Sequence, residues 1–240
     1  LAIAYFARAH ADGVVHAELF FDPQTHTARG IAFETVLDGL ERACAEAQAR
    51  WGISSRLILC FLRHLSEDEG FATLQQALPH LARIHGVGLD SSEKGHPPGK
   101  FARLFARCRE LGLHIVAHAG EEGPPAYIVE ALDVLKVERI DHGVRCEEDP
   151  ALVERLAREQ VALTVCPLSN VKLCVVPTLA EHNFKRLLDA GLKLTINSDD
   201  PAYFGGYIAR NYVETAQALG LTRAELKRVA RNSLEASFVP

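Results

Sequence analysis

The chain of 240 residues lacks methionine altogether, contains one tryptophan and has no excess of basic residues. Its formal net charge of −5 argues against the basic surface that nucleic-acid backbones require. The six cysteines show no CxxC spacing, which favours buried reduced thiols over zinc held by cysteine. Apolar runs such as Val161–Val165 are far too short to cross a bilayer. We therefore expect a protein that binds neither nucleic acid nor membrane.

The start of the chain lacks both an initiator methionine and a basic segment followed by an apolar one. Without such a secretion signal, the cytoplasm is the expected compartment. Leu1–His10 has a helical pattern with no capping signal before it, so we expect the natural polypeptide to begin further upstream. Hydrophobic residues make up 48% of the sequence, which predicts one domain over residues 1–240, truncated at its N-terminus.

Short apolar runs alternate with longer helical patterns, which predicts an α/β fold with a parallel sheet. Seven strands are expected, and a doubly wound open sheet is the alternative architecture. Polar clusters end nearly every strand, and a closed barrel gathers all such ends around one site. We therefore predict a (β/α)8 TIM barrel whose first strand is absent from this chain. The two unpaired edges would favour association, including a homo-oligomer.

The strand predicted over His114–Ala119 ends in a group that can carry chemistry. His114 and His118 share one face of this strand, with His114 at the closed end of the barrel and His118 at the open end. Gly120 permits a sharp turn that directs the carboxylate of Glu121 over the barrel mouth. A packed, hydrogen-bonded histidine is the alternative interpretation of His118, and Glu121 shifts the balance towards metal binding.

Two further strands end in titratable residues. The last strand ends in Asp199 and Asp200, adjacent carboxylates that repel each other unless a cation or donors offset them. A solvated turn is the alternative explanation. His142 ends another strand and is a weak signal by itself. Together these residues supply N and O ligands and a separate proton carrier, as zinc hydrolysis requires.

At these residues the sequence resembles the adenosine/adenine/AMP deaminase family. The resemblance extends over essentially the whole chain and rests on four blocks in order: His118-Ala119-Gly120-Glu121, Asp141-His142-Gly143, Cys166-Pro167-Leu168-Ser169-Asn170 and Asn197-Ser198-Asp199-Asp200-Pro201.

The resemblance implies one zinc ion, with His118 and Asp199 as ligands, and a small-molecule purine as substrate. It also implies that Glu121 protonates N1, that His142 orients and deprotonates the attacking water, and that Asp200 bonds to N7. The family's HxH motif, which gives two more zinc ligands, is absent. Since a strand is also missing, we interpret this as truncation and expect the chain by itself to bind zinc poorly and to be inactive.

The segment Gly88–Pro98 resembles the adenine deaminase branch of the family. The resemblance predicts that Glu93 accepts a hydrogen bond from N9–H of free adenine, with Ser92 as a further substrate contact. A nucleoside carries ribose at N9 and would leave this carboxylate unpaired. A rim carboxylate paired with Lys94 or Arg63 is the other interpretation of Glu93.

Three rival functions remain open at this point. The substrate could be adenosine or an N6-substituted adenine. The chain could be another metallohydrolase on the same barrel, although no lysine is placed to bridge metals. It could also be an inactive fragment or binding homologue, against which the retention of Glu121, His142 and Asp200 argues.

Overall fold

The computed structural model describes residues 1–239. Its sheet contains seven strands, all parallel and paired in the order of the sequence. A doubly wound sheet changes direction at a switch point, so this order excludes that alternative. The strands are β1 (His16–Phe21), β2 (Ser54–Leu62), β3 (Gly86–Asp90), β4 (His114–Ala119), β5 (Arg139–His142), β6 (Ala162–Val165) and β7 (Lys193–Ile196).

Contacts between distant strands show that the sheet is strongly curved. Arg139 of β5 donates to Glu18 of β1 over 2.6 Å. The rings of Phe20 in β1 and His118 in β4 have centroids 5.7 Å apart. In a flat sheet β1 and β5 would lie about 19 Å apart, four strand spacings. The sheet is therefore the wall of a barrel, and the predicted TIM-barrel fold is confirmed.

Helices cover the outside of this wall. Ser66 begins one of them with a reciprocal capping box to Glu69, as its sequence predicts. The α-helices are Ala2–Ala11, Gln24–Thr27, Phe33–Trp51, Glu67–Ala77, Ala102–Glu110, Pro125–Glu130, Pro150–Glu159, Pro167–Lys172, Phe184–Asp189, Pro201–Phe204, Ile208–Leu219 and Arg223–Glu235. Short 3-10 segments are Leu78–Arg83, Pro98–Phe101, Val144–Glu148 and Leu179–Glu181, and Ala131–Leu135 is a π-helix.

The predicted helices differ from the observed ones where proline intervenes. The pattern predicts one helix over Ser66–Ile84, but the α-helix ends at Ala77 and Pro79 lies in a 3-10 turn. Pro167–Lys172 and Pro201–Phe204 are one-turn helices after strand ends, too short to show a period of 3.6 residues. No helix in the described part of the chain is long and apolar enough to cross a membrane.

Strand residues alternate between two apolar layers. Leu57, Leu59 and Phe61 join a cluster beneath the helices that runs from Phe21 to Val229. Ile58 and Cys60 point into the barrel, where they pack with Val116, Phe20 and Phe238. The inward face of β1, β2 and β4 is therefore apolar in the barrel interior. At the carboxyl end of the strands, polar side chains follow on the same face.

The C-terminal segment covers the amino end of the barrel. The ring of Phe238 stacks on His114 with centroids 4.1 Å apart, and the guanidinium of Arg139 lies 4.6 Å from the same ring. Glu18 accepts hydrogen bonds from Arg139 and from the backbone N–H of Phe238. His114 thus has the structural position at the closed end that alternation along the strand predicts.

Candidate active site

The predicted site residues of β4, β5 and β7 meet at the carboxyl end of the barrel. The imidazole rings of His118 and His142 have centroids 4.9 Å apart. Nε2 of His142 lies 3.9 Å from Oδ2 of Asp199. His142 and Asp199 have φ angles of 64° and 55°, in the left-handed region that disfavours side chains. Such conformations are typical of sites where the position of a side chain outweighs backbone strain.

Glu121 lies against this group. Its Oε1 is 3.2 Å from Nδ1 of His142 and accepts a hydrogen bond of 2.9 Å from Nδ2 of Asn170. The preceding Gly120 has φ 72°, and a Cβ atom there would collide with Ile128. A glycine is therefore required for the turn that brings Glu121 over the barrel, as the sequence predicts.

Glu93 has contacts that differ from both interpretations of the sequence. Its side chain is buried, and its carboxylate accepts backbone N–H groups of Gly120 (2.9 Å), Glu121 (2.9 Å) and Gly123 (3.0 Å). A Cβ atom at Gly123 would collide with the same carboxylate. Glu93 thus holds the loop that presents Glu121. Its predicted contact with N9–H stays a prediction, with three of about four acceptor positions already occupied.

The other two predicted substrate contacts lie nearer to solvent. Ser92 is exposed. Asp200 is the more exposed of the adjacent carboxylates. Partial burial, then the neighbouring charges of Asp199 and Asp22, raise the pKa of Asp200 above its ordinary value. Both residues border the mouth of the barrel, where a ligand above His118 would enter.

Several residues of the site carry no role in the sequence analysis. Nδ2 of Asn170 also lies 3.4 Å from Nδ1 of His142, and its Oδ1 lies 3.2 Å from Nε2 of the buried His182. The hydroxyl of Ser169 donates to Oδ2 of Asp199 over 2.6 Å. Ser169 and Asn170 stand in one of the four sequence blocks, which is the signal that could have identified them. His182 is in a short connecting segment with no comparable signal.

Asp141 lies directly behind His118. It pairs with His118 in the register of β4 and β5, and its Oδ2 is 3.8 Å from Nδ1 of that histidine. Thr164 donates to its Oδ1 over 2.8 Å. At 3.8 Å, Oδ2 of Asp141 and Nδ1 of His118 form no hydrogen bond, and neither atom has a partner among the described residues.

His142 is buried among carboxylates. Burial by itself would lower the pKa of its imidazole, but the negative charges of Glu121, Asp199 and Asp141 outweigh this effect and raise the pKa above its ordinary value. An imidazole held between two carboxylates can therefore accept a proton without leaving an unpaired buried charge.

Part of a zinc ligand set is present in this region. A nitrogen of His142, Sγ of Cys166 and a carboxylate oxygen of Asp199 lie within 4.8 Å of one another, with His118 beside them. Burial, and then the charges of Asp199 and Glu121, raise the pKa of the Cys166 thiol well above its usual range. The imidazole and carboxylate donors of this region are of the types that zinc accepts.

Comparison with known proteins identifies the family. Residues 1–240 match the sequence profile of the family described as adenosine deaminase. The chain belongs to this family, which confirms the resemblance seen in the four sequence blocks.

Individual relatives agree with this assignment. The adenine deaminase of Albidiferax ferrireducens is 65% identical over 236 residues, which are 98% of this chain and 68% of that protein. The adenine deaminase of Acinetobacter baylyi is 64% identical over 239 residues, covering 100% of this chain and 72% of the relative.

Two solved structures share the fold along the whole chain. The crystal structure of adenine deaminase from Arthrobacter aurescens superposes with a TM-score of 0.98 at 52% identity, covering 100% of this chain and 73% of that one. An amidohydrolase from Burkhoderia ambifaria, solved with bound Zn, has a TM-score of 0.92 at 29% identity and covers 100% and 67% of the two chains.

Proposed function

We propose that this protein converts adenine and water to hypoxanthine and ammonia in purine salvage. The observation that carries this proposal is the contact of Glu121 with His142 beside Asp199, which places two proton carriers at one opening. Relatives named adenine deaminases, at 62 to 66% identity, support free adenine as the substrate.

The residues of the site have distinct tasks in this reaction. Asn170 holds Glu121 by a hydrogen bond, and Glu121 carries a proton to N1 of the purine, which makes C6 more electrophilic. His142 removes a proton from the water that attacks C6, because neighbouring carboxylates stabilise its charged form. Asp200 bonds to N7 at the barrel mouth. Ammonia leaves from C6 once its nitrogen is protonated.

His118 and Asp199 would hold one zinc ion. Oδ2 of Asp141 lies 3.8 Å from Nδ1 of His118, and the hydroxyl of Ser169 holds the carboxylate of Asp199 by a hydrogen bond. When bound, zinc lowers the pKa of water from about 15.7 to roughly 7. The amidohydrolase solved with bound Zn supports this choice of metal.

An ammonia-release assay on the full-length protein tests the proposal. Adenine should be the best substrate among adenine, adenosine and N6-methyladenine. Glu121→Gln should lower kcat by about 10³-fold, since the proton for N1 is lost. The exposed Glu154→Gln, which also removes one negative charge, is the matched control.

Two results would contradict this assignment. One is faster turnover of adenosine or N6-methyladenine than of adenine, and the other is full activity of Glu121→Gln. The same assay on residues 1–240 alone tests whether this chain is inactive by itself, as its missing HxH motif predicts.

A further inference from the structure

A second group of inward-facing side chains lies beside the site. Oxygens of Asp22 and Asp90 and Sγ of Cys60 lie within 4.8 Å of one another. Cys60 is an inward residue of β2, whereas Asp90 ends β3 and Asp22 directly follows β1. Phe20 packs in the barrel interior, and Asp22, two residues further on, continues the same face.

This group lies at the same end of the barrel as His118. Gly86 and Val87 of β3 pair with His114 and Ile115 of β4, and Asp90 and His118 lie beyond these pairs towards the carboxyl ends of the two strands. The charge of Asp22 acts on Asp200 and contributes to raising its pKa. Asp22 and Asp90 therefore border the same opening as the proposed metal ligand and the proposed N7 contact.

The two carboxyl groups lack partners elsewhere. Asp90 is 9% exposed, and no donor among the described residues reaches its buried Oδ1 or that of Asp22. Within residues 1–239 the backbone carbonyl of Asp90 accepts from the N–H of Arg63 and that of Asp22 accepts from Thr25, whereas neither carboxyl group accepts from a backbone N–H. Buried polar atoms without a partner are costly, and their presence beside an opening indicates a ligand that supplies the missing bonds.

One proton between the two groups accounts for their proximity. Oxygens of the two carboxyl groups lie within 4.8 Å of each other, and two buried carboxyl groups this close disfavour ionisation of both. Burial, and then the hydrogen bond and charge of Asp22, raise the pKa of Asp90 well above its ordinary value. In the protein without ligand, Asp90 is thus the group that favours its protonated form.

We propose that Asp90 and Asp22 bind the edge of adenine that carries N3 and N9–H. The protonated carboxyl of Asp90 donates to N3, and the carboxylate of Asp22 accepts from N9–H. When adenine binds, the proton that Asp90 and Asp22 share in the protein without ligand forms the hydrogen bond to N3. Binding therefore neither releases a proton from the protein nor takes one up. This inference rests on the proposed function and names the residues that select the free base.

The pair excludes nucleosides by chemistry as well as by space. Adenosine has no hydrogen at N9, so its binding would leave the Asp22 carboxylate buried and unpaired. Burial, followed by the charges of Asp90 and Asp22, raises the pKa of the neighbouring Cys60 thiol well above its usual range. A divalent cation held by the two carboxylates is the competing occupant, and metal analysis distinguishes it from adenine.

Substrates that lack one atom of this edge test the inference in the full-length protein. 9-Methyladenine lacks N9–H, and 3-deazaadenine lacks the N3 acceptor. Asp22→Leu should reduce the preference in kcat/KM for adenine over 9-methyladenine by at least about 10-fold. Asp90→Leu should reduce the preference over 3-deazaadenine by a similar factor, and Asp90→Asn, which retains a donor, should restore it.

Controls separate this inference from the proposed function. The exposed Asp68→Asn should leave every ratio unchanged. Failure of the wild type to deaminate adenine overturns both proposals. Adenine turnover with wild-type ratios in both leucine variants overturns this inference alone, as does a change of the 9-methyladenine ratio by Glu93→Gln but not by Asp22→Leu.

Metal analysis and a bound structure complete the test. A second metal equivalent that is lost in Asp90→Leu would replace the base-binding role by a cation site. If a leucine variant does not fold, a structure with hypoxanthine decides the matter. N3 and N9 within about 3.2 Å of Asp90 and Asp22 support the inference, and an edge that faces Ser92 and Glu93 instead overturns it.

Discussion

The two ends of the barrel each contain a buried, inward-facing carboxyl group, and the two groups behave in opposite ways. At the amino end, burial by itself would raise the pKa of Glu18, but hydrogen bonds from His16, Arg139 and Phe238 and the charge of Arg139 lower it to about 2. At the carboxyl end, burial and Asp22 raise the pKa of Asp90 well above its ordinary value. One group is satisfied by the fold and the other is left for a ligand.

Backbone conformation also differs between the two ends of the barrel. Left-handed φ angles at Ser91, His142 and Asp199 occur at the carboxyl ends of β3, β5 and β7. In the described part of β1–β7, no strand residue at the amino end has a positive φ angle. The barrel therefore concentrates left-handed backbone conformations at its carboxyl end, whereas the carboxylate of Glu18 at the amino end is paired with Arg139 and Phe238.

Among the substitutions that test this contrast between the two ends of the barrel, replacement of Arg139 should have the largest effect on stability. Arg139→Met leaves Glu18 buried opposite an apolar side chain, so we expect a loss of about 3 to 5 kcal/mol in the free energy of unfolding. Denaturant unfolding measures the loss. Combining it with Glu18→Gln should recover part of it, because the uncompensated charge is removed.

An ion pair on the outer surface provides the control. Arg155 contacts Asp133 in an exposed setting, so Arg155→Met should cost no more than about 1 kcal/mol. Equal losses for Arg139→Met and Arg155→Met would show that the amino-end pair has no special structural importance.

The buried His182 should make the site end of the barrel sensitive to acid. Burial, and then the charge of Arg186, lower the pKa of His182 to about 4, and its Nδ1 accepts the backbone N–H of Phe184. The unfolded chain binds this proton below about pH 6.5 and the folded chain only below about 4. This contribution to stability is thus complete above pH 6.5 and falls by roughly 3 kcal/mol as the pH drops to 4.

Unfolding free energies at several pH values, compared with those of His182→Gln, measure this contribution. The wild type should lose more stability between pH 6.5 and 4 than the variant does. Parallel pH profiles would show that His182 is protonated equally in the folded and unfolded chain.

Backbone strain at a residue outside the site should be removable by substitution, in contrast to the strain at His142 and Asp199 within the site. Lys136 is exposed and ends the π-helix with φ 59°. Lys136→Gly should raise the free energy of unfolding by about 0.5 to 1 kcal/mol, because glycine adopts this conformation without a steric penalty. Glu154→Gly, within a regular helix, should lower it by about 1 kcal/mol. A loss of stability in Lys136→Gly would contradict this explanation.

Periodicity predicted all seven strands and the capped helix at Ser66, because strands and long amphipathic helices leave repeating patterns. The split of that helix at Pro79 and the one-turn helices after β6 and β7 left no such pattern. The residues of the four motif blocks were likewise located correctly at the carboxyl end. Their convergence depends on barrel curvature, which no local pattern encodes.

The pairing of Glu93 shows why other parts of the site could not be predicted. A carboxylate that follows a strand end in the sequence is compatible with a contact to substrate and with a contact to a loop. Only the positions of the three N–H groups that Glu93 accepts distinguish these two roles. Asp22 and Asp90 are 68 residues apart in sequence numbering and meet only because β1, β2 and β3 are neighbours. Single strand ends give no sign of such a pair.

The contacts of Phe238 at the amino end of the barrel affect the order in which the chain folds. Its backbone bond to Glu18 joins residues separated by 220 positions, and the contact of Arg139 with Ala236 spans 97. Contacts this distant in sequence are entropically expensive to close and slow to form. During synthesis, Glu18 and Arg139 therefore emerge long before the residues that cover them. We therefore expect the contacts that cover the amino end of the barrel to form after the strands that they cover.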